Sequence, residues 1–309
     1  MKVEGQLCSV FCGKGCGGCP AGGGAPSVAC PGNGCGQCRG AAGAGAGAGA
    51  GLGPGAALPK LVIFAGGDIR DEAAVARWTG GADLVVAADS GLGRAFACGL
   101  TPDALVGDLD SAAPADVEAA RRAGVAMLTV NPVKDETDLE LAVEYGLARL
   151  GIPAGVQLDL PAAPGDPSPS ALPSLPDPSG PIAHIILAGI TGGRLDHTLA
   201  AFGLMARLSR QGHCVEAGDG VAWATILGGR RLAIQLRGHP GEYLSLIPLL
   251  SDVTGVTLSG FKYPLTKATL PWGKSVGVSN EFATPQALVQ IDGGWLLVVK
   301  PGSVPPAHE

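Results

Sequence analysis

The first residues in this chain whose types and spacing could do chemistry are carboxylates. Asp108 and Asp110 stand one residue apart at the end of the apolar run ALVGDLDS (104–111). At a strand end, an i, i+2 pair can project to the same side. Such a pair is either a solvated turn or a set of oxygen ligands for a hard divalent cation. Asp89 in LVVAADSG (84–91) and Asp138 in NPVKDETD (131–138) follow other apolar runs and could complete a cluster. Four uncompensated carboxylates repel one another, so a divalent cation gives them a reason to converge. Magnesium suits them, because it takes one or two carboxylates and fills its shell with water and phosphate oxygens. Lys134 is one basic residue on the same edge; GGRLDH (192–197) offers another in Arg194. There a Gly-Gly turn opens a helix, and the Arg194 guanidinium can fork onto a phosphate beside exposed backbone N–H groups. The alternative for Arg194 and Asp196 is a surface ion pair of little worth. His197 could contact phosphate or pack at the helix start. The motif logic points to a magnesium–nucleotide or phosphate-ester site. It is not a P-loop, since G-x-x-x-x-G-K-[ST] is missing, and no G-x-G-x-x-G follows the first strand to bind a dinucleotide.

The elements that must position these residues alternate along the chain. LVIFAGG (61–67) reads as a buried parallel strand, followed by a helix from about Asp71 to Trp78. LVVAADSG, a helical stretch to Cys98, ALVGDLDS and the helical APADVEAARRAG (113–124) repeat the unit, and AMLTVNP (126–132) makes a fourth strand. The next helix carries Leu139, Ala142, Val143, Gly146, Leu147 and Leu150 on one face, with Thr137 and Glu140 at capping-box spacing. IAHIILAG (182–189) is another buried strand, leading into the Gly-Gly turn and its helix. This alternation predicts an α/β fold with a doubly wound, mostly parallel sheet. Ligands bind such sheets beyond the carboxyl ends of the strands, where the acidic loops fall. After about Gly212 the rhythm changes to VAWATILGG, RRLAIQLRG, EYLSLIPLL, VTGVTLSGF, KSVGVSNEF and ALVQIDGGWLLVVK. Short β-rich runs split by turn residues predict a smaller all-β sandwich or barrel domain over 213–309. The α/β domain then spans 59–212. Its interruption at 153–181, with nine prolines and no lysine or arginine, reads as a flexible or polyproline-like surface insertion.

Composition narrows the partners. A net charge of -6 argues against nucleic acid or an anionic membrane, which call for a basic face. No apolar run reaches the ~18 residues of a membrane span, and the first residues lack the apolar core of a secretory signal. A cytoplasmic protein is expected. Residues 1–58 are rich in glycine and alanine and hold seven of the nine cysteines. Cys16/Cys19 and Cys35/Cys38 have C-x-x-C spacing, which could hold zinc. With almost nothing apolar to pack around a metal, a disordered extension is the expectation and a small zinc site the alternative.

AADSG, PDALVGDLDS, KDETDLELAVEYGL, GGRLDHTLA, SLIPL, TGVTLSGFKYPL and GVSNEF occur in this order between residues 60 and 300, leaving out the insertion. Together they resemble the thiamine pyrophosphokinase (thiamine diphosphokinase) family; the first 58 residues have no counterpart there. The resemblance implies transfer of the β,γ-diphosphate of ATP, as one unit, to the hydroxyl of thiamine, giving thiamine diphosphate and AMP with Mg2+ as cofactor. It implies that Asp108, Asp110 and Asp138 hold the metal and carry catalysis. Asp89, Lys134, Arg194, Asp196 and His197 fall where the family contacts nucleotide and phosphates. Ser279 and Asn280 match the motif of the thiamine site, which the family builds with its β domain at the interface of a homodimer. Ser90 stands where the family commonly has glycine. Two other readings share these motifs: a pyrophosphokinase with another acceptor, and a non-catalytic thiamine or nucleotide sensor. The intact Asp108, Asp110 and Asp138 count against the sensor.

Overall fold

A computed structural model describes residues 58–130, 136–153 and 180–302. The expectations for the N-terminal extension, for Lys134 and for the body of the proline-rich insertion lie outside the described residues. Among the described residues six strands lie parallel: β1 (Lys60–Phe64), β2 (Leu84–Ala88), β3 (Ala104–Gly107), β4 (Ala126–Thr129), β5 (His184–Ala188) and β6 (Cys214–Gly218). Their order is β4-β3-β2-β1-β5-β6. Among the described residues five helices run between them: α1 (Glu72–Thr79), α2 (Gly91–Ala97), α3 (Pro114–Arg122), α4 (Asp138–Arg149) and α5 (Leu195–Arg210).

Successive residues of a strand face opposite sides. Leu61 and Ile63 therefore share a core with Ala142, Val143 and Leu147 of α4 and Leu204, Met205 and Leu208 of α5. Val62 and Phe64 pack on the other side with Val75 and Trp78 of α1 and Ala95 of α2. Leu92, Val117 and Ala120 of α2 and α3 cover Ala87 and Leu105. With both faces covered, the strands read as unbroken apolar runs rather than as alternation. Each fully buried Val, Leu or Ile contributes about 1.5–3 kcal/mol over leaving it in water.

Strand addition reverses between β1 and β5, which makes this the switch point where open α/β sheets place ligands. The loops after these two strands touch through their backbones. Gly67 N donates to Gly189 O at 2.8 Å and Asp68 N to Thr191 O at 2.7 Å. A Cβ on Gly67 would stand 2.3 Å from Thr191 O and 2.4 Å from Gly189 O, so no other residue fits there without parting the loops.

The chain then becomes strand-rich: β7 (Trp223–Leu227), β8 (Ala233–Arg237), β9 (Tyr243–Ser259), β10 (Leu265–Leu270), β11 (Asn280–Glu281), β12 (Gln286–Gln290) and β13 (Gly293–Lys300). β7 is antiparallel to β6, and hydrogen bonding continues along β6-β7-β13-β9-β12-β8. β9 runs for 17 residues. Its first half pairs with β13 and its second with β12 and β10. Positive φ at Leu250 (66°) and Gly255 (65°) turns it from one layer into the next. Between the layers lie Leu244, Leu246, Val256, Leu258, Val289, Leu296 and Val298, in a core that continues onto Val62, Phe64 and Trp78.

Several strands differ from the sequence reading. EYLSLIPLL and VTGVTLSGF are one strand, β9, while ALVQIDGGWLLVVK divides into β12 and β13. KSVGVSNEF contributes only the two residues of β11, and β6 and β10 were not anticipated. The parallel sheet thus extends one strand past residue 212. Glu216 hid β6, because it puts a carboxylate in the middle of a buried strand, at 0% exposure. It is held by Trp78 Nε1 at 3.3 Å and Trp223 Nε1 at 3.2 Å, both donating to Oε2, with Arg231 3.5 Å from Oε1. A buried carboxylate persists only with such partners. Among the described residues no helix is long and apolar enough to cross a membrane.

Candidate active site

The acidic loops converge beyond the carboxyl ends of β2 and β3 and at the start of α4. One carboxylate oxygen from each of Asp89, Asp108 and Asp110 lies within 4.8 Å of the others. Asp138 joins them as the first residue of α4, fixed there by the expected capping box. Thr137 Oγ1 accepts from Glu140 N, and Glu140 Oε2 accepts from Thr137 N, both at 3.2 Å. Gly107 is the floor of the site. A Cβ on it would lie 3.0 Å from the Asp89 Cβ and 3.4 Å from Asp138 Oδ1. Around it the backbone is unusual: Asp89 has φ 45° and Leu109, between the paired aspartates, φ 65°. Left-handed non-glycine residues cost about 1–3 kcal/mol each and persist where the surroundings hold them. Here Asp89 N donates to Val106 O at 2.9 Å, and Asp110 N to Asp108 Oδ1 at 3.2 Å.

The electrostatics of the cluster call for a cation. The negative charge of Asp108 beside Asp110, with a hydrogen bond between the two side chains, raises the Asp110 carboxyl above its ordinary range; Asp89 and Asp138 push the same way. Asp89 is 6% exposed. Its Oδ2 accepts from the Ser111 hydroxyl, while its buried Oδ1 makes no hydrogen bond among the described residues. A buried carboxylate oxygen without a partner is costly, and so is crowding of like charges. A hard divalent cation would relieve both, and an all-oxygen donor set is the set such ions prefer. Asp108, Asp110, Asp89 and the neighbouring Asp138 therefore fit a magnesium ion.

The other expected residues are distributed as follows. Arg194 precedes α5, on the loop after β5 and hence on the same edge of the sheet. Its Nε and a terminal nitrogen donate to the two Asp196 oxygens at 3.1 and 2.5 Å. Both side chains are exposed, and the hydrogen bond from Arg194 brings the Asp196 carboxyl down to about 2. Asp196 takes Nε and one terminal nitrogen, so an anion can reach Arg194 through the other terminal nitrogen without displacing it. His197 is exposed in the first turn of α5. Asn280 is buried, and its amide serves the backbone: Oδ1 accepts from Tyr263 N at 3.1 Å and Glu281 N at 2.9 Å, and Nδ2 donates to Tyr263 O at 2.9 Å. Ser279 is exposed, with φ 61° and its backbone N–H on Ser245 Oγ at 3.1 Å. Ser90 packs its hydroxymethyl over bare Gly66, where a Cβ would come within 2.1 Å of Ser90 Oγ. Sequence reasoning included Gly107 and Ser111 in the GDLDS motif but gave neither a role of its own. Both flank the Asp108/Asp110 pair, but their partner Asp89 lies on another loop.

Fold and site define a class: α/β proteins whose carboxylate cluster, beyond the ends of a parallel sheet, suits a metal-bound phosphate ligand. Residues 75–216 match the family described as "Thiamin pyrophosphokinase, catalytic domain", and residues 231–296 match "Thiamin pyrophosphokinase, vitamin B1 binding domain". The chain belongs to the thiamine pyrophosphokinase family, a family of enzymes. Thiamine pyrophosphokinase of Bacillus subtilis (strain 168) is 25% identical over 217 residues, covering 70% of this chain and 86% of that protein. The fold agrees with the crystal structure of the Bacillus subtilis thiamine pyrophosphokinase (TM-score 0.60, 24% identity, 79% of this chain and 99% of that one). It also agrees with that of yeast thiamin pyrophosphokinase (TM-score 0.57, 16% identity, 80% and 87%).

Proposed function

We propose that this chain transfers the β,γ-diphosphate of ATP to the hydroxyl of thiamine, giving thiamine diphosphate and AMP. The observation that carries this reading is the convergence of Asp89, Asp108 and Asp110, with one buried oxygen unpartnered among the described residues, upstream of a segment matching a vitamin B1 binding domain. Asp108, Asp110 and Asp138, with Asp89 beside them, hold Mg2+ in this reading. When bound, the ion supplies positive charge for the diphosphate oxygens as the bond to AMP breaks. The protein's own contribution is positioning, which such transfers chiefly need. Gly107 and the capped start of α4 hold the carboxylates in one place. Arg194, steadied by Asp196, offers its other terminal nitrogen to a phosphate oxygen, with Lys134 and His197 as further phosphate contacts. Asp138, at the helix start, also orients the thiamine hydroxyl. Ser279 takes part in the thiamine site, and Asn280 shapes it by clamping the loop at Tyr263. A homodimer belongs to this reading, and the need for ATP supports action in the cytoplasm.

The test is product analysis. AMP should be released from ATP only when both thiamine and Mg2+ are present, with thiamine diphosphate formed in equal amount. ADP as product, or AMP release indifferent to thiamine, would overturn the proposal.

A further inference from the structure

Asp89 is held differently from its neighbours. Asp108 and Asp110 stand on a single loop and bond to each other, whereas Asp89 reaches the cluster from the end of β2 in a left-handed conformation. A carboxylate so placed could turn about its last bond and present either oxygen. The Ser111 hydroxyl removes that freedom by donating to Oδ2, from a residue 22 positions further along the chain. The other oxygen, Oδ1, is left buried and without a hydrogen bond among the described residues. A structural aspartate normally has both oxygens satisfied. Here one is satisfied and one is kept bare, next to two more carboxylates.

We propose that Ser111 is a positioning residue for the cation site: by binding Asp89 Oδ2 it reserves Asp89 Oδ1 for the divalent metal. Asp89 then acts as a ligand supplied from a second loop, and Ser111 as the outer partner that orients it. Such partners typically set metal affinity by 10–100-fold. The role also explains why the residue after Asp110 carries a hydroxyl although its own side chain is exposed. This inference rests on the metal reading of the site and assigns a task within it.

The experiment measures binding of Mn2+, alone and with α,β-methylene-ATP, by electron paramagnetic resonance on the full chain. Ser111→Ala should weaken Mn2+ binding about 10-fold or more, with an unchanged circular dichroism spectrum and melting temperature. Ser111→Thr, which keeps the hydroxyl, should restore most of it. In an Asp89→Asn background, Ser111→Ala should have no further effect, because the two residues act as one unit. If the wild type binds Mn2+ and Ser111→Ala binds it equally well, the positioning role is overturned while the metal reading stands. A loss in Ser111→Ala that persists undiminished in the Asp89→Asn background also overturns it. If the wild type binds no Mn2+ under either condition, both fall.

Discussion

At the scale of single residues, the site turns on how many negative charges a small volume can hold. The Asp110 carboxyl is raised chiefly because Asp108 lies beside it. Asp110→Asn should therefore fold normally, and even relieve repulsion in the metal-free protein, while losing turnover on the order of 100-fold or more. Added Mg2+ should raise the melting temperature of the wild type and do so far less in the variant. Near-normal turnover, or an equal melting shift in both proteins, would remove Asp110 from the metal site. Asp108, Asp110, Asp89 and Asp138 were legible because three apolar runs each lead into an acidic loop. Two other roles were not. The Asn280 amide was legible as polar but not as a clamp on Tyr263, and Ser111 showed no sign of its partner. Hydrogen bonds that join distant loops exist only after the strands have taken their order.

At the scale of elements, the α/β part was readable because its signals are local. Apolar runs, glycine turns and the Thr137–Glu140 box each fall within a few residues of the element they specify. β6 was not, since Glu216 becomes acceptable only once Trp78, Trp223 and Arg231 surround it. The junction into β6 carries a titratable brace as well. His213 is 6% exposed, and its Nδ1 accepts from Ala183 N at 3.1 Å, tying the entry of β6 to that of β5. Burial, with the charge of Arg230, lowers its pKa from 6.5 to about 4. Between these values the unfolded chain binds the proton and the folded one does not. Stability linked to His213 is thus full above pH 6.5 and lost as pH falls toward 4, by on the order of 3 kcal/mol. His213→Gln should be less stable than wild type at pH 7.5, with the gap narrowing as the solution is acidified. Urea midpoints of both proteins at pH 7.5 and 4.5 give the answer; a gap of constant size would show that His213 does not titrate in this way.

At the scale of the whole molecule, the exposed surface of the strand-rich part bears on assembly. Tyr243 (51%), Ile247 (39%), Val276 (70%) and Val278 (47%) expose apolar side chains. Tyr243 and Ile247 lie on β9 and Val276 and Val278 on the turn before β11, joined where Leu246 N donates to Gly277 O at 2.8 Å. Apolar side chains massed like this commonly mark a protein–protein contact. In the proposed homodimer this is the face that pairs, so Ile247→Asp should shift the mass in sedimentation equilibrium from dimer to monomer. A wild type that sediments as a monomer would overturn the dimer, and an unmoved dimer mass in the variant would put the contact on another face. The continuous sheet and the 17-residue β9 were beyond local reading, because Ser251, Asp252 and Gly255 resemble turn signals until β13 and β12 lie along either half.

That continuity has a practical side. Severing the chain after Gly212, where the sequence changes rhythm, would strip β6 from β5 and leave each piece with a raw edge of unpaired N–H and C=O groups. Such edges recruit whatever strand is available. The natural complement of each is the other piece, so the two fragments, made together, would re-form the sheet across the cut, and either made alone would aggregate.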